Sequence, residues 1–419
     1  MAEMLNKNKD VWPYDMPEKW SVTKAKYYCF DIFSGGTPNT NREEYWDGDI
    51  PWLKSGVCHD GDVSEASRNI TKLGLANSST RLIPKNTPLV AMTGATCGHT
   101  AFLRIEACAN QSVMAFISNP GRCYTRMLYY MLQASYDYIL SLQTGGAQAG
   151  VNLNDCRNIP LPNIPLFEQK MIADSLDEKC AEIDKLSEDI QKQIQCLVEY
   201  KGGLIHRTLL RYDRNEPVMK PIKYVATCND ESLSNNTPAD YEFDYVDIGS
   251  VLYGSGITKK ERMSFGNSPS RARRIVRCGD TIVSTVRTYL KAVAKISSED
   301  LDYPTIVSTG FAVLRPKRNV IDSDYLAFVI QSNDFVSEVE AVSVGVSYPA
   351  INTSALMNIK IPLYDLTTQN KIASYLDEKC KRVDLLISAE NEQLARLANY
   401  KKSIIYEYVT GKKRVKGVN

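Results

Sequence analysis

The sequence has little of what free-standing catalysts use. Histidine occurs three times in 419 residues, at His59, His99 and His206, and no two lie near each other in the chain. There is no Gly-x-x-x-x-Gly-Lys-Ser/Thr phosphate loop and no His-Glu-x-x-His zinc motif. An Asn-Pro-Pro-Tyr motif for amino methyl transfer is absent, as is a Gly-rich cofactor loop following a strand. The eleven cysteines include no Cys-x-x-Cys pair, which argues against a zinc ribbon or a redox motif. Scattered thiols, odd in number, suit a reducing cytoplasm. No apolar run approaches the roughly 20 residues that span a bilayer. The first twenty residues lack the apolar core of a signal peptide. Charge of one sign is missing too: 50 basic and 49 acidic side chains leave a net charge of +1. Nucleic-acid binding must therefore come from local patches or from a partner.

What is present is a long internal repeat. Leu-Asp-Glu-Lys-Cys occurs at 176–180 and again at 376–380, an offset of 200 residues. At the same offset Ile172-Ala173 matches Ile372-Ala373, Asp184 matches Asp384, Leu186 matches Leu386, and Tyr200-Lys201 matches Tyr400-Lys401. A period this long is a whole domain plus a helix made twice, not a solenoid. In the first copy Leu176, Ile183, Ile190, Leu197 and Leu204 fall seven apart, with Leu186, Ile194 and Tyr200 supplying a second apolar row. The second copy reads Leu376, Val383, Glu390, Leu397 and Ile404, with Leu386, Leu394 and Tyr400 between them. Such heptads predict a coiled-coil seam, here interrupted at Glu390. Pro165 and Pro362 stand just upstream, where a helix start tolerates proline. Gly202-Gly203 is expected to loosen the end of the first helix. A helix of about 45 residues is roughly 65–70 Å long. Two such striped helices bury their stripes most economically on each other.

The predicted fold class is α+β. Two globular domains alternate with two long helices that pair as an antiparallel coiled coil, giving a pseudo-two-fold internal repeat. The expected division is 1–162, 163–212, 213–361 and 362–419. Apolar runs at 87–93, 113–117, 281–286 and 310–314, bounded by Gly, Pro and Asn, read as strands. Residues 124–142 and 324–342 each read as one helix. The ends of the two globular segments keep the 200-residue register, as in Asn158-Ile159 and Asn358-Ile359. Their middles do not: 91–99 and 284–292 share a location and almost no residues. A duplication that retains its frame and changes its loops suits a protein presenting two similar domains to two different targets.

Between Lys259 and Lys295 ten basic residues stand against Glu261 and Asp280, while the preceding 230–247 stretch is acidic. An Arg-rich cluster suits phosphate contacts and guanine readout. Candidate DNA contacts here are Lys259, Lys260, Arg262, Arg271, Arg273, Arg274, Arg287, Tyr289, Lys291 and Tyr348. In the first globular segment they are Lys54, Thr93, Thr96, His99, Gln143, Thr144 and Gln148. Trp46 and Trp52 read as core or loop anchors rather than stacking platforms. Lys412-Lys413-Arg414 and Lys416 form a basic tail. No metal site and no catalytic residue is identified.

Local stretches then point to a family. They are Ser34-Gly35-Gly36-Thr37-Pro38, Tyr45-Trp46-Asp47-Gly48-Asp49-Ile50-Pro51-Trp52, and the helix starts at Ile164-Pro165-Leu166-Phe167-Glu168-Gln169 and Ile361-Pro362-Leu363 with Gln369. With the architecture, these resemble the DNA-specificity subunit of Type I restriction–modification enzymes over nearly the whole chain. The resemblance implies that each globular domain is a target-recognition domain reading one half of a bipartite sequence in double-stranded DNA. It implies a non-catalytic chain with no cofactor of its own, whose helices space the domains and dock two modification subunits. Those adenine methyltransferases would bring S-adenosylmethionine, and a restriction subunit would bring ATP and Mg. The location implied is the cytoplasm of a bacterium or archaeon, with no membrane partner. Two competing readings are a non-catalytic coiled-coil interaction scaffold and an enzyme acting alone on nucleic acid. On the sequence alone, Arg273→Ala with Arg274→Ala is expected to weaken DNA binding and flatten its salt dependence. An unchanged salt slope would place the phosphate contacts elsewhere.

Overall fold

The computed structural model describes residues 16–145 and 149–415. The chain forms two compact units. One takes the described residues up to Asp189 together with those from Glu392 onward, and the other is Ile190–Asn391. These units cut across the four consecutive segments expected from sequence, because each contains one globular part and a piece of both long helices. Among the described residues no helix is long and apolar enough to cross a membrane.

The first unit has two main sheets. The five-stranded sheet runs Cys29–Ser34, Val113–Ser118, Thr87–Ala91, Thr100–Leu103 and Gly61–Val63. The three-stranded sheet runs Arg68–Ile70, Trp46–Leu53 and Cys108–Ala109. Ile83, Leu89, Leu103 and Ala115 fill an apolar core of the strand layer. Val90, Phe102, Met114 and Phe116 face the other way, onto helix Thr125–Ala134 and the long helices. This alternation along one strand is the period-two pattern of a sheet buried on both faces. The second unit repeats the plan with two four-stranded sheets. One runs Ala226–Cys228, Phe311–Pro316, Thr281–Ser284 and Val293–Lys295, the other Glu261–Ser264, Glu242–Val246, Thr305–Ser308 and Ala272–Ile275.

The single helix expected over 124–142 is two, Thr125–Ala134 and Tyr136–Ser141, and that over 324–342 is also two, Ser323–Gln331 and Asn333–Val342. A serine makes each break. Ser332 adopts an extended backbone and its side chain accepts from Phe335 N, so it caps a new helix. Ser135 instead turns its hydroxyl back onto Met131 O.

The long helices span Leu166–Leu210 and Leu366–Val409. The first continues through Gly202 and Gly203, which do not end it. A Cβ at Gly202 would meet Asn333 Nδ2 at 2.9 Å, so this glycine admits the neighbouring helix start. In the first unit Lys401 Nζ lies 2.6 Å from Asp184 Oδ1. There Gly411 packs on Trp20, whose Nε1 donates to Glu168 near the start of the first helix. In the second unit Lys201 Nζ lies 2.7 Å from Asp384 Oδ1, and the Tyr212 ring meets Tyr375. The helices therefore run antiparallel within each unit.

Leu176, Ile183, Ile190, Leu204, Leu376, Val383 and Ile404 are buried, and Leu197, Leu394 and Leu397 are half-buried. Leu186 and Leu386 lie outside the seam, exposed on the helix surface. The second row is instead Cys180, Ser187, Ile194, Lys201 and Thr208, with Cys380, Ile387, Leu394, Lys401 and Tyr408 in the second copy. Apolarity alone points to Leu186 and Leu386, whereas the 3-4 spacing from the first row selects these positions whatever their polarity. Lys201 and Lys401 fit because their stems lie along the seam while the ammonium reaches an aspartate of the other helix. Exposed pairs of this kind stabilise by about 0–1 kcal/mol, so they set register more than stability.

A buried amide is used twice to fasten the strand layers to the helices. Gln169 Oε1 accepts from Tyr124 N at 2.8 Å, and its Nε2 donates to Arg122 O at 3.1 Å and Ile164 O at 2.7 Å. Gln369 Oε1 accepts from Asp322 N at 2.8 Å, and its Nε2 donates to Val320 O at 3.1 Å and Tyr364 O at 2.8 Å. Both side chains are fully buried. Truncation strands backbone groups that cost about 1–3 kcal/mol each when left unpaired. Gln169→Ala and Gln369→Ala should each lower unfolding free energy by about 2–4 kcal/mol in urea titrations. A loss under about 1 kcal/mol would show that water takes over the bonds.

Candidate nucleic-acid interface

In the first unit five connections meet along one edge of the strand layer. Gly35 N donates to Val113 O at 3.1 Å and Gly36 N to Ala109 O at 2.8 Å. Asn110 N donates to Leu53 O, Met92 N to Ser112 O, and Val151 N to Met92 O. Gly150 bridges both Thr93 and Thr144. The edge thus gathers 35–38, 53–57, 92–96, 109–113 and the described part of 143–151. Two tryptophans explain the motif noted in the sequence. Trp52 Nε1 donates to Gly36 O at 3.0 Å and Trp46 Nε1 to Asn39 O at 3.2 Å, while the buried rings meet edge-on at 5.2 Å. They anchor the loop rather than present a stacking face. A Cβ at Gly35 would lie 1.9 Å from Ala109 O, so only glycine allows this approach.

The second unit builds the same edge. Ile351 N donates to Thr285 O at 2.9 Å, and Ala350 bridges both Val286 and Val344. Thr285 N donates to Gly310 O and Thr309 N to Arg271 O. The bridges at 144 and 150 recur at 344 and 350, so the 200-residue register holds at the loops as well.

Candidate residues divide accordingly. Lys54, Thr93, Thr96, Gln143 and Thr144 lie on or beside the first edge, and Arg271, Arg287, Tyr289, Lys291 and Tyr348 on or beside the second. Gln148 and Lys416 lie outside the described residues. His99 is engaged elsewhere: its Nδ1 is 2.6 Å from Asp60 Oδ2 and its ring packs on Tyr136. Among the sequence's missed residues are Val286, Leu290, Val344 and Val346, all exposed on the second edge. The signal for the last two was their register with 144–146.

The Arg-rich cluster is not a free basic patch. Strand Glu242–Val246 pairs antiparallel with strand Glu261–Ser264, which sets Asp244 opposite Arg262. Arg262 Nε lies 2.9 Å from Asp244 Oδ1 and its guanidinium stacks 3.8 Å from the Tyr303 ring centre. Lys260 meets Asp300, Arg271 meets Asp247, Arg277 meets Glu231, Lys291 meets Glu340, and Lys295 meets Asp324. The acidic stretch before the cluster supplies three of these carboxylates, Glu231, Asp244 and Asp247. Arg273 donates to Ala272 O and packs on Phe265, while Arg274 donates to Ser232 Oγ. Their removal disturbs packing, so they are poor probes of phosphate contact, contrary to the expectation from sequence. Arg287 is exposed, with no ion-pair partner among the described residues.

Among the described residues no activated thiol stands out. Burial pushes the thiols of Cys29, Cys58 and Cys156 up to about 12, so they are protonated at neutral pH. Asp177, in the Asp-Glu-Lys run, holds Arg126 Nε at 2.6 Å and accepts from Tyr130 Oη at 2.6 Å. Among the described residues no group of three or more His, Cys, Asp or Glu is placed to hold a metal.

A model of the Type I restriction modification DNA specificity domain matches residues 17–195 and 229–396. The chain is 25% identical over 438 residues to the Type I restriction enzyme MjaVIII specificity subunit of Methanocaldococcus jannaschii, covering 98% of this chain and 97% of that one. It is 28% identical over 171 residues to the EcoR124I/EcoR124II specificity subunit of Escherichia coli, covering 39% and 42% of the two chains. In fold it is similar, with a TM-score of 0.69 and 16% identity, to a chain solved in work on complex assembly and conformational transition of the type I R-M system, covering 96% of this chain and 100% of that one.

A cation already neutralised by a carboxylate releases few counterions when DNA arrives. Arg262→Ala should therefore change the log–log salt slope of duplex binding by much less than the about 0.9 expected per lost phosphate contact. Fluorescence anisotropy across a salt series measures this, and a drop near 0.9 would put Arg262 on a phosphate.

Proposed function

The chain belongs to the Type I restriction modification DNA specificity domain family, and from that premise we propose that each of its two units reads one half of a bipartite DNA site. The observation that carries the reading is the pair of loop edges. They share a backbone frame, with bridges at 93/150 and 144/150 in one unit and 286/350 and 344/350 in the other. They present different side chains: Thr93, Gly94, Ala95 and Thr96 in the first, and Val286, Arg287, Thr288 and Tyr289 in the second. Base edges are told apart by donors, acceptors and the thymine methyl, so unlike side chains on like frames read unlike sequences. The scaffold reading accounts for the helices and leaves these edges without a role.

The chemistry belongs to partners. Two adenine methyltransferase subunits would dock on the long helices and bring S-adenosylmethionine, and a restriction subunit would add ATP and Mg. The target adenine would leave the duplex for the pocket of a methyltransferase subunit. This chain contributes position: Gln169 and Gln369 tie each recognition part to its helix segments, and the loop edges choose the bases. Near-zero net charge fits a division in which partners share the phosphate contacts.

Single-molecule methylation sequencing tests the reading in cells expressing the chain with its neighbouring methyltransferase. The expected result is adenine methylation at a split motif whose halves differ, lost when the chain is deleted. A palindromic motif would contradict the two unlike edges, and methylation indifferent to deletion would contradict the specificity role.

A further inference from the structure

We propose that Arg287 is the base-reading cation of the second unit and takes a guanine in its half-site, with Val344 and Val346 against a neighbouring thymine methyl. The inference rests on the DNA-specificity reading above.

Three features of the turn carry it. Arg287 has no counterion among the described residues, whereas Lys260, Arg262, Arg271, Arg277, Lys291 and Lys295 each have a carboxylate. The turn is also held in an unfavourable backbone. Arg287 and Lys291 flank the short helix Thr288–Leu290, and both are left-handed, with φ of 49° and 52°. Non-glycine residues persist there only where the surroundings fix them, and such strain gathers at binding sites. Here Thr288 is buried, Thr288 N reaches Pro349 O, and Ser284 Oγ donates to Val286 O. Arg287 and Tyr289 consequently point outward from a fixed base. The third feature is the company. Tyr289, Val344, Val346 and Tyr348 are exposed on the same edge, Val346 completely so at 102%.

That company decides between phosphate and base. A cation meant for the phosphate ridge gains nothing from aliphatic neighbours, which would stay in water. On the floor of the major groove the same neighbours meet thymine methyl groups, and a guanidinium matches the O6 and N7 acceptors of guanine with two donors. Loop 93–96 of the first unit, which stands where 286–289 stands in the second, carries no cation, so Arg287 has no equivalent in that loop.

The test uses the chain in complex with its methyltransferase partner. Methylation sequencing defines the motif for the wild type, for Arg287→Ala and for Arg287→Asn. Asparagine tolerates the left-handed backbone and removes the guanidinium, which separates readout from folding. A duplex of that motif is then made with 7-deazaguanine, which lacks N7, at each guanine in turn. The expected result is one guanine, in one half-site, at which both variants lose base discrimination while the other half-site is unchanged. At that guanine the 7-deaza substitution should weaken wild-type binding by about tenfold to a hundredfold and leave Arg287→Asn nearly unaffected. A motif unchanged in both variants, a wild type insensitive to 7-deazaguanine at every position, or variants weakened equally for all four bases would overturn the proposal. The last pattern would make Arg287 a phosphate contact. If the wild type itself specified no motif, the DNA-specificity reading would fall instead.

Discussion

Two buried amides hold the recognition parts of this protein to its helices. Gln169 and Gln369 are themselves fully buried and each satisfies three backbone groups, and each binds the segment leading into the helix behind the strand layer. An amide is suited to this position because it offers both an acceptor and donors from one planar group. A carboxylate there would face two carbonyl oxygens, and an aliphatic side chain would strand all three partners. The loops at the far side of each strand layer inherit their position from this joint.

The helix seam shows which part of such a design the residues disclose. The row through Leu176, Ile183 and Ile190 is apolar and seven apart, so it is legible. Its companion row is Cys180, Ser187, Ile194, Lys201 and Thr208, of which a hydrophobic pattern selects only Ile194. Lysine occupies a seam position because its stem is apolar and an aspartate on the other helix takes its charge. Leu186 and Leu386 misled for the converse reason: leucine on a helix surface is common, and apolarity does not give direction. The breaks at Ser135 and Ser332 were hidden because apolar spacing continues across them while the backbone does not.

At the candidate interface the location was more legible than the residues. The 200-residue offset marks the ends of the two globular segments, as at Asn158 and Asn358, and the bridges at 144/150 and 344/350 show that it extends to the loops. What the register could not show was pairing between distant segments. The Arg-rich run reads as a positive patch because its counterions lie outside it, both earlier and later in the chain, and only the antiparallel pairing of Glu242–Val246 with Glu261–Ser264 brings Asp244 to Arg262. A charge count along a sequence measures composition, whereas a field depends on which strands become neighbours.

These facts also explain how one frame can serve two targets. The buried clusters lie inside the strand layers and against the helices, built from residues such as Leu89, Met114 and Ile172 in the first unit and Val283, Leu314 and Ile372 in the second. The loop edges contribute little to them: Gly94, Ala95, Val344 and Val346 are exposed. Surface substitutions away from packed features change stability by about 0.5 kcal/mol or less, whereas a base contact is worth about 1–3 kcal/mol of discrimination. Specificity can therefore vary at the edge at small cost to folding. The amides and the seam leave less freedom, since a change there alters the position of every loop they hold.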